Sequence, residues 1–132
     1  MSEQRNPYKG DPPRPWLRLG FLGKDGSRVD VDLLADTGCP YGIILAPDLF
    51  SKLCFRLTTE VTANFGPMNG GWVRLYAPEL ELVEFVLAYG SADIAANVGT
   101  DHPDFVGMVG LPVLRMLEYG GNHDSFWIRT PS

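Results

Sequence analysis

Cysteine and histidine are scarce in this chain, with two of each among 132 residues. Cys39 and Cys54 are too few for a disulfide framework, and with His102 and His123 they show none of the close C-x-x-C or H-x-x-x-H spacing of a zinc site. No metal and no cofactor is expected. Long apolar runs are missing as well: none approaches the ~20 residues a membrane helix needs, and the N-terminus lacks the basic-then-apolar layout of a secretory leader. The expectation is a cytoplasmic protein without a membrane partner. Clustered cations are a third absence. Eleven Lys and Arg stand singly against sixteen Asp and Glu, for a net charge of -5. Phosphate backbones are gripped by groups of basic side chains, so nucleic acid is not an expected partner. Finally, no long Pro/Gly/Ser linker interrupts residues 16–129. Residues 16–132 therefore read as one domain, large enough to bury a core. Residues 1–15 differ, being polar, proline-rich and without apolar periodicity, and are expected to form a flexible N-terminal arm.

What is present is a carboxylate at the end of an apolar strand. Arg28 to Leu33 alternates polar and apolar residues, Leu33-Leu34-Ala35 runs into Asp36-Thr37-Gly38, and Ile43-Ile44-Leu45 resumes apolar character. Such a placement delivers an acid out of a strand into a tight turn, where it can be held in a dry cleft. Around it, Trp16 to Leu22 and Arg28 to Ala35 are expected to pair through Lys24-Asp25-Gly26, a strong hairpin turn. Pro47 and Asp48 mark the start of a short helix ending near Leu53, and Arg56 to Ala63 follows as a strand. Phe65 to Trp72 is rich in Gly, Pro and Asn between strands, which predicts a long hairpin tip with unusual backbone freedom. Further strands are expected at Leu80 to Leu87, Ile94 to Val98 and Phe126 to Ile128, with a polar break over Gly99 to Asp104 that carries His102. A second short helix is expected over Leu111 to Leu117, closed by Gly120-Gly121. Many short strands with one or two short helices indicate an all-β, closed or partly closed barrel.

Two segments, Leu33-Leu34-Ala35-Asp36-Thr37-Gly38 and Met108-Val109-Gly110-Leu111-Pro112-Val113-Leu114, resemble those of the retropepsin-like aspartic proteases, and the likeness runs from about Trp16 to Arg129. The resemblance implies an acid-protease-like barrel in which Asp36 is catalytic, Thr37 and Gly38 complete its turn, and Gly110 lets strands cross closely beneath it. It also places a mobile flap at the Phe65–Trp72 tip, making Phe65, Gly66, Met68, Gly70, Gly71 and Trp72 the expected substrate contacts. The two aromatic rings favour that role, because a merely solvated loop gains little from exposing them. Cys39 stands where the family commonly has Ala or Ser, Gly42 replaces a hydroxyl residue, and Pro112 is close to a usual Asp or Asn. Cys39 is expected to fill a small-residue packing site, since a thiolate nucleophile requires a histidine partner and a stabilising environment.

Peptide hydrolysis by carboxylates needs one ionised group to take a proton from water and a second, protonated one to polarise the scissile carbonyl. The chain has no second Asp-Thr-Gly or Asp-Ser-Gly; Asp25-Gly26-Ser27 and Asp124-Ser125-Phe126 are the nearest approaches, and no internal repeat is present. A twofold homodimer supplies the missing carboxylate. By resemblance, Thr37 hydroxyls brace the two turns, the Gly38 N–H supports the carboxylates, and a terminal sheet closes the dimer. Phe126 to Ile128, beside Trp16 to Leu19, suits that sheet, although it can equally pair within its own subunit. The expected activity is an aspartic endopeptidase acting on peptide or protein substrates. The competing reading is a non-catalytic retropepsin-like dimerisation or peptide-binding module. A phosphotransfer enzyme is disfavoured, because neither a P-loop nor a second acidic metal-binding motif accompanies Asp36.

Overall fold

The Asp25-Gly26 turn starts the fold as its residue types demand. Gly26 takes a φ of 84°, which an L side chain rarely adopts, and the Asp25 carboxylate accepts from the Ser27 N–H at 3.0 Å and its hydroxyl at 2.6 Å. In the computed structural model, which describes residues 3–64, 66–94 and 105–131, this turn joins β2 (Trp16–Leu22) to β3 (Arg28–Asp36) in antiparallel register from Leu22↔Arg28 to Trp16↔Leu34. After β3 come β4 (Ile43–Leu45), helix α1 (Pro47–Leu53), β5 (Arg56–Ala63), β6 (Gly66–Ala77), a 3-10 turn (Pro78–Leu80), β7 (Leu82–Gly90), β8 (Gly107–Gly110) and helix α2 (Leu111–Leu114).

These strands form one sheet in the order β2-β3-β8-β4-β7-β6-β5, and Phe21↔Leu75 pairing between β2 and β6 closes six of them into a barrel. The protein is thus an all-β barrel with short helices, as the strand and turn spacing predicts. Strand alternation decides what lies inside. Leu17, Leu19 and Phe21 of β2, Leu33 of β3, Ile43 and Leu45 of β4, and Val73 and Leu75 of β6 point into a common core and are almost wholly buried. Each such side chain contributes roughly 1.5–3 kcal/mol relative to leaving it in water. Helix α1 begins with Pro47, whose missing N–H costs nothing there, and sends Phe50 and Leu53 into that core against β7. Among the described residues, no helix is long and apolar enough to cross a membrane.

The N-terminal segment departs from its expectation as a flexible arm. Glu3–Pro7 is a strand, β1, paired antiparallel with β10 (Ser125–Arg129), which in turn pairs with β9 (Glu118–Gly121) in a separate three-stranded sheet. The Gln4 side chain adds a local tie to the barrel: its amide donates to the Arg18 carbonyl and accepts from the Arg18 N–H, both at 2.7 Å. Polar composition concealed this strand because its partner lies at the opposite end of the chain.

Helix α2 is also shorter than the expected 111–117. Its last turns tighten, with Met116 N–H bonding Val113 O at 2.9 Å and Leu117 N–H bonding Leu114 O at 3.0 Å, so the α pattern ends. Gly120-Gly121 does not stop that helix but lies in β9, where the Trp127 ring occupies the space a Gly120 side chain would need. Ile94, expected to open a strand, is instead helical together with residues 92 and 93, while the rest of that expected strand and the polar break with His102 lie outside the described residues.

Candidate active site

Asp36 is the last residue of β3, and its chain position fixes its direction. Leu34 and Asp36 are two apart on one strand and therefore share a face, the face opposite Leu33 and Ala35. On that face a second apolar cluster forms outside the barrel core: Leu34, Ile44 and Met108 from β3, β4 and β8, covered by Met68, with Tyr41, Val61 and Tyr89 half-buried at its rim. Tyr41 and Tyr89 meet edge to face with centroids 5.0 Å apart. The carboxylate thus emerges beside an apolar layer with an aromatic rim.

The Asp-Thr-Gly turn is built by two hydrogen bonds. Cys39 N–H donates to the Asp36 carbonyl at 3.1 Å, closing the turn, and Gly38 N–H donates to Asp36 Oδ1 at 2.9 Å. Asp36, Thr37 and Gly38 are all exposed. A Cβ on residue 38 would stand 3.2 Å from Asp36 Oδ1, so glycine here keeps the carboxylate uncrowded.

Beneath the turn the chain crosses itself. β8 lies between β3 and β4, parallel to β3 with Asp36↔Gly110 and antiparallel to β4 with Ile43↔Val109. Gly110 N–H donates to Gly42 O at 2.8 Å and Leu111 N–H to Cys39 O at 3.1 Å, so the loop after Asp36 is pinned across the end of β8. A side chain at 110 has no room: its Cβ would overlap the Tyr41 carbonyl and lie 2.7 Å from the Cys39 carbonyl oxygen. The close crossing expected at Gly110 is therefore present, and its cause is backbone contact.

Cys39 is buried and directs Sγ to the Tyr41 carbonyl at 3.4 Å. Burial pushes its thiol pKa up and the neighbouring Asp36 charge adds to this, while the bond to the Tyr41 backbone opposes it. A protonated, enclosed thiol suits packing. Among the described residues, no group of three or more His, Cys, Asp or Glu side chains is placed to hold a metal ion.

The β5–β6 hairpin differs from the expected Gly-rich tip. β5 and β6 are paired up to Ala63↔Gly66, so the chain reverses between those residues, and Gly66 to Trp72 run along β6. Phe65 lies outside the described residues. Met68 is buried over the second cluster, whereas Gly70 and Gly71 are buried strand positions; a Cβ on Gly71 would come within 3.0 Å of the Phe50 ring. These glycines serve close packing more than backbone freedom. Trp72 is 40% exposed and lines a cavity of about 460 Å³ together with Pro40 and Tyr41, the residues following the turn.

A cavity of about 500 Å³ adjoins the turn on its other side. Asp36 and Thr37 line it with Tyr8, Tyr119, Asn122 and Phe126 from the terminal sheet and its loop. Sequence reasoning missed these residues, since Tyr8 sits in a proline-rich stretch and Tyr119 precedes a Gly pair that looked like a helix stop. Phe126 and Ile128 pair with β1 and β9 of their own chain, the second of the two arrangements considered above. Comparison of the chain with protein-family models, with curated proteins and with solved structures finds no match to any of them.

Proposed function

We propose that the chain is an aspartic endopeptidase, active as a homodimer in which two Asp36 side chains activate one water. The observation that carries this reading is the Asp36 turn: a carboxylate exposed at a strand end, with one oxygen held by the Gly38 N–H and its strand locked over Gly110. Two such groups brought together share a proton, because both cannot stay ionised at close range. The ionised one takes a proton from water as the water oxygen attacks the peptide carbonyl carbon. The protonated one donates to the carbonyl oxygen, giving a gem-diol. The proton taken from water then passes to the nitrogen as the C–N bond breaks, and one gem-diol hydroxyl returns its proton to the other carboxylate, restoring the singly protonated pair. No covalent enzyme intermediate and no cofactor enters the sequence.

The apolar layer on the Asp36 face supports an extended peptide substrate, with alternate side chains resting against Tyr41, Val61 and Tyr89. The β5–β6 hairpin, which places Met68 over that layer, is the element that would position the peptide and exclude bulk water. The test is cleavage of a diverse peptide mixture, read by mass spectrometry from mildly acidic to neutral pH. Wild type is expected to cut, and Asp36→Asn to lose about 10²–10⁴-fold in rate, the contribution typical of a positioned acid–base group. Equal cleavage by both proteins, or none by either, rejects the peptidase and leaves a non-catalytic binding module.

A further inference from the structure

A second cavity, about 410 Å³, opens between the C-terminal end of α1 and the start of β5, and it shares no lining residue with the cavity beside Asp36. Phe50, Phe55 and Leu57 give it apolar walls, while Lys24 and Arg56 are the charged residues of its lining. Neither cation has a carboxylate within ion-pair distance among the described residues. In a chain of net charge -5, this is a local reversal of sign beside apolar surface.

The apolar surface continues past the cavity mouth. Leu57 is 66% exposed, Phe55 meets Phe85 edge-on at 5.6 Å, and Phe85 is itself 54% exposed. Trp72 stands directly opposite Arg56 across the β5–β6 pairing, and Arg74 lies over the Phe85 ring at 5.7 Å with no carboxylate partner among the described residues. β5 is also the outermost strand of its sheet. Large rings left in water beside unpaired guanidinium groups mark an interaction surface and define its chemistry, since apolar burial supplies the affinity and the cations select the sign of the partner.

We propose that this face docks an acidic segment of a second protein, with a carboxylate side chain entering between Lys24 and Arg56 and neighbouring aromatic or aliphatic side chains covering Phe55, Trp72 and Phe85. A protein segment fits better than nucleic acid or a lipid surface. The cations are spaced by rings and do not form a stripe that could follow phosphates or an anionic bilayer. The proposal goes beyond the peptidase reading: Trp72 and Phe85 also line the cavity that reaches Tyr41, but Lys24 and Arg56, on which the test turns, line neither that cavity nor the one beside Asp36.

The test is selection from a library of random dodecapeptides displayed on phage, followed by fluorescence anisotropy with a labelled synthetic copy of the most enriched peptide. Wild type is expected to enrich sequences pairing Asp or Glu with Phe, Trp or Leu. The synthetic peptide is expected to lose about tenfold or more in affinity for Lys24→Glu/Arg56→Glu, and again when its own acids become amides. An Arg115→Glu control is expected to bind as wild type does. Circular dichroism verifies that the reversed variant is folded; if it is not, Lys24→Gln/Arg56→Gln takes its place. No enrichment, enrichment without acidic residues, or undiminished affinity after reversal overturns the proposal. Tighter binding of oligothymidylate or of phosphatidylserine vesicles than of any selected peptide overturns it as well.

Discussion

Gly110→Ala tests the crossing beneath Asp36 with a single methyl group. That Cβ meets two backbone carbonyls, overlapping that of Tyr41 and lying 2.7 Å from that of Cys39, with the Cys39 Cβ at 3.1 Å. None of these can swing away as a side-chain end would. Gly42 and Cys39 are held by the N–H groups of Gly110 and Leu111, so relief by backbone movement breaks the bonds that place the turn. Overpacking typically costs about 1–3 kcal/mol, and a purely backbone clash belongs at the upper end, about 3 kcal/mol. For a chain of this length each kcal/mol is worth about 3–4 °C, which gives a fall in Tm of about 10 °C. The control is Gly26→Ala, where φ is 84° and nothing lies within 4 Å of the added carbon. Only the left-handed backbone penalty applies there, about 1 kcal/mol or 4 °C. Thermal unfolding by circular dichroism and urea midpoints at unchanged m-value provide the readout. A Gly110→Ala protein as stable as Gly26→Ala would refute the claim that β3, β8 and the Asp36 loop approach this closely.

Other expectations follow from the same geometry. Asp36→Asn is expected to unfold within about 2 °C of wild type, because an exposed side chain with one local hydrogen bond contributes little to stability; a large drop would show that the loss of cleavage is merely unfolding. Arg28 grips Glu79 with both terminal nitrogens, at 2.7 and 3.2 Å, and holds the Glu79 carboxyl below its ordinary range. A depressed acid stabilises the fold above its unfolded pKa, and that contribution is lost as pH falls through the folded value. Because Glu79 is half exposed, Glu79→Gln is expected to lower Tm by no more than about 3 °C at neutral pH, with the difference shrinking as the solution is acidified below the ordinary glutamate range. A difference that grows on acidification would contradict the pairing. Cys39, its thiol pushed up chiefly by burial, is expected to react with iodoacetamide at mildly alkaline pH far more slowly in native protein than in urea, as read by peptide mapping. Equal rates would mean that the turn region opens freely.

Local chemistry explains which parts of this fold were legible from residues alone. The β2–β3 hairpin was readable because Asp25-Gly26 sets the turn and alternation sets the faces, both within a few residues. Helix α1 and the strand-end position of Asp36 were readable for the same reason. β1 was not, since Glu3 pairs with Arg129 and no local pattern records a partner so distant. β9 was missed, and the hairpin tip misplaced, through one shared error: Gly120, Gly70 and Gly71 looked like breakers, yet the fold uses their missing side chains. Trp127 fills the space over Gly120, and the Cys54 sulfur, backed by the Phe50 ring, lies where a Gly71 side chain would be. From sequence, a glycine needed for freedom and one needed for closeness look alike.

The terminal sheet also determines how two chains can bring their Asp36 turns together in the proposed dimer. β10 has strand neighbours on both sides, so it has no edge to offer a partner, and exchange of termini would first require β1 to be stripped from it. β1 is further engaged on the barrel side, where Gln4 bonds both backbone groups of Arg18. β9 remains. Its outer side has no strand among the described residues, and Tyr119 to Asn122 line the same cavity as Asp36 and Thr37. A twofold axis that sets one Asp36 against its twin must then carry the two β9 edges and their cavities toward each other as well, because each subunit presents the same patch. Asp36, Thr37 and the cavity formed with Tyr8, Tyr119 and Phe126 thus lie on one continuous surface, the surface that the proposed dimer would have to bury.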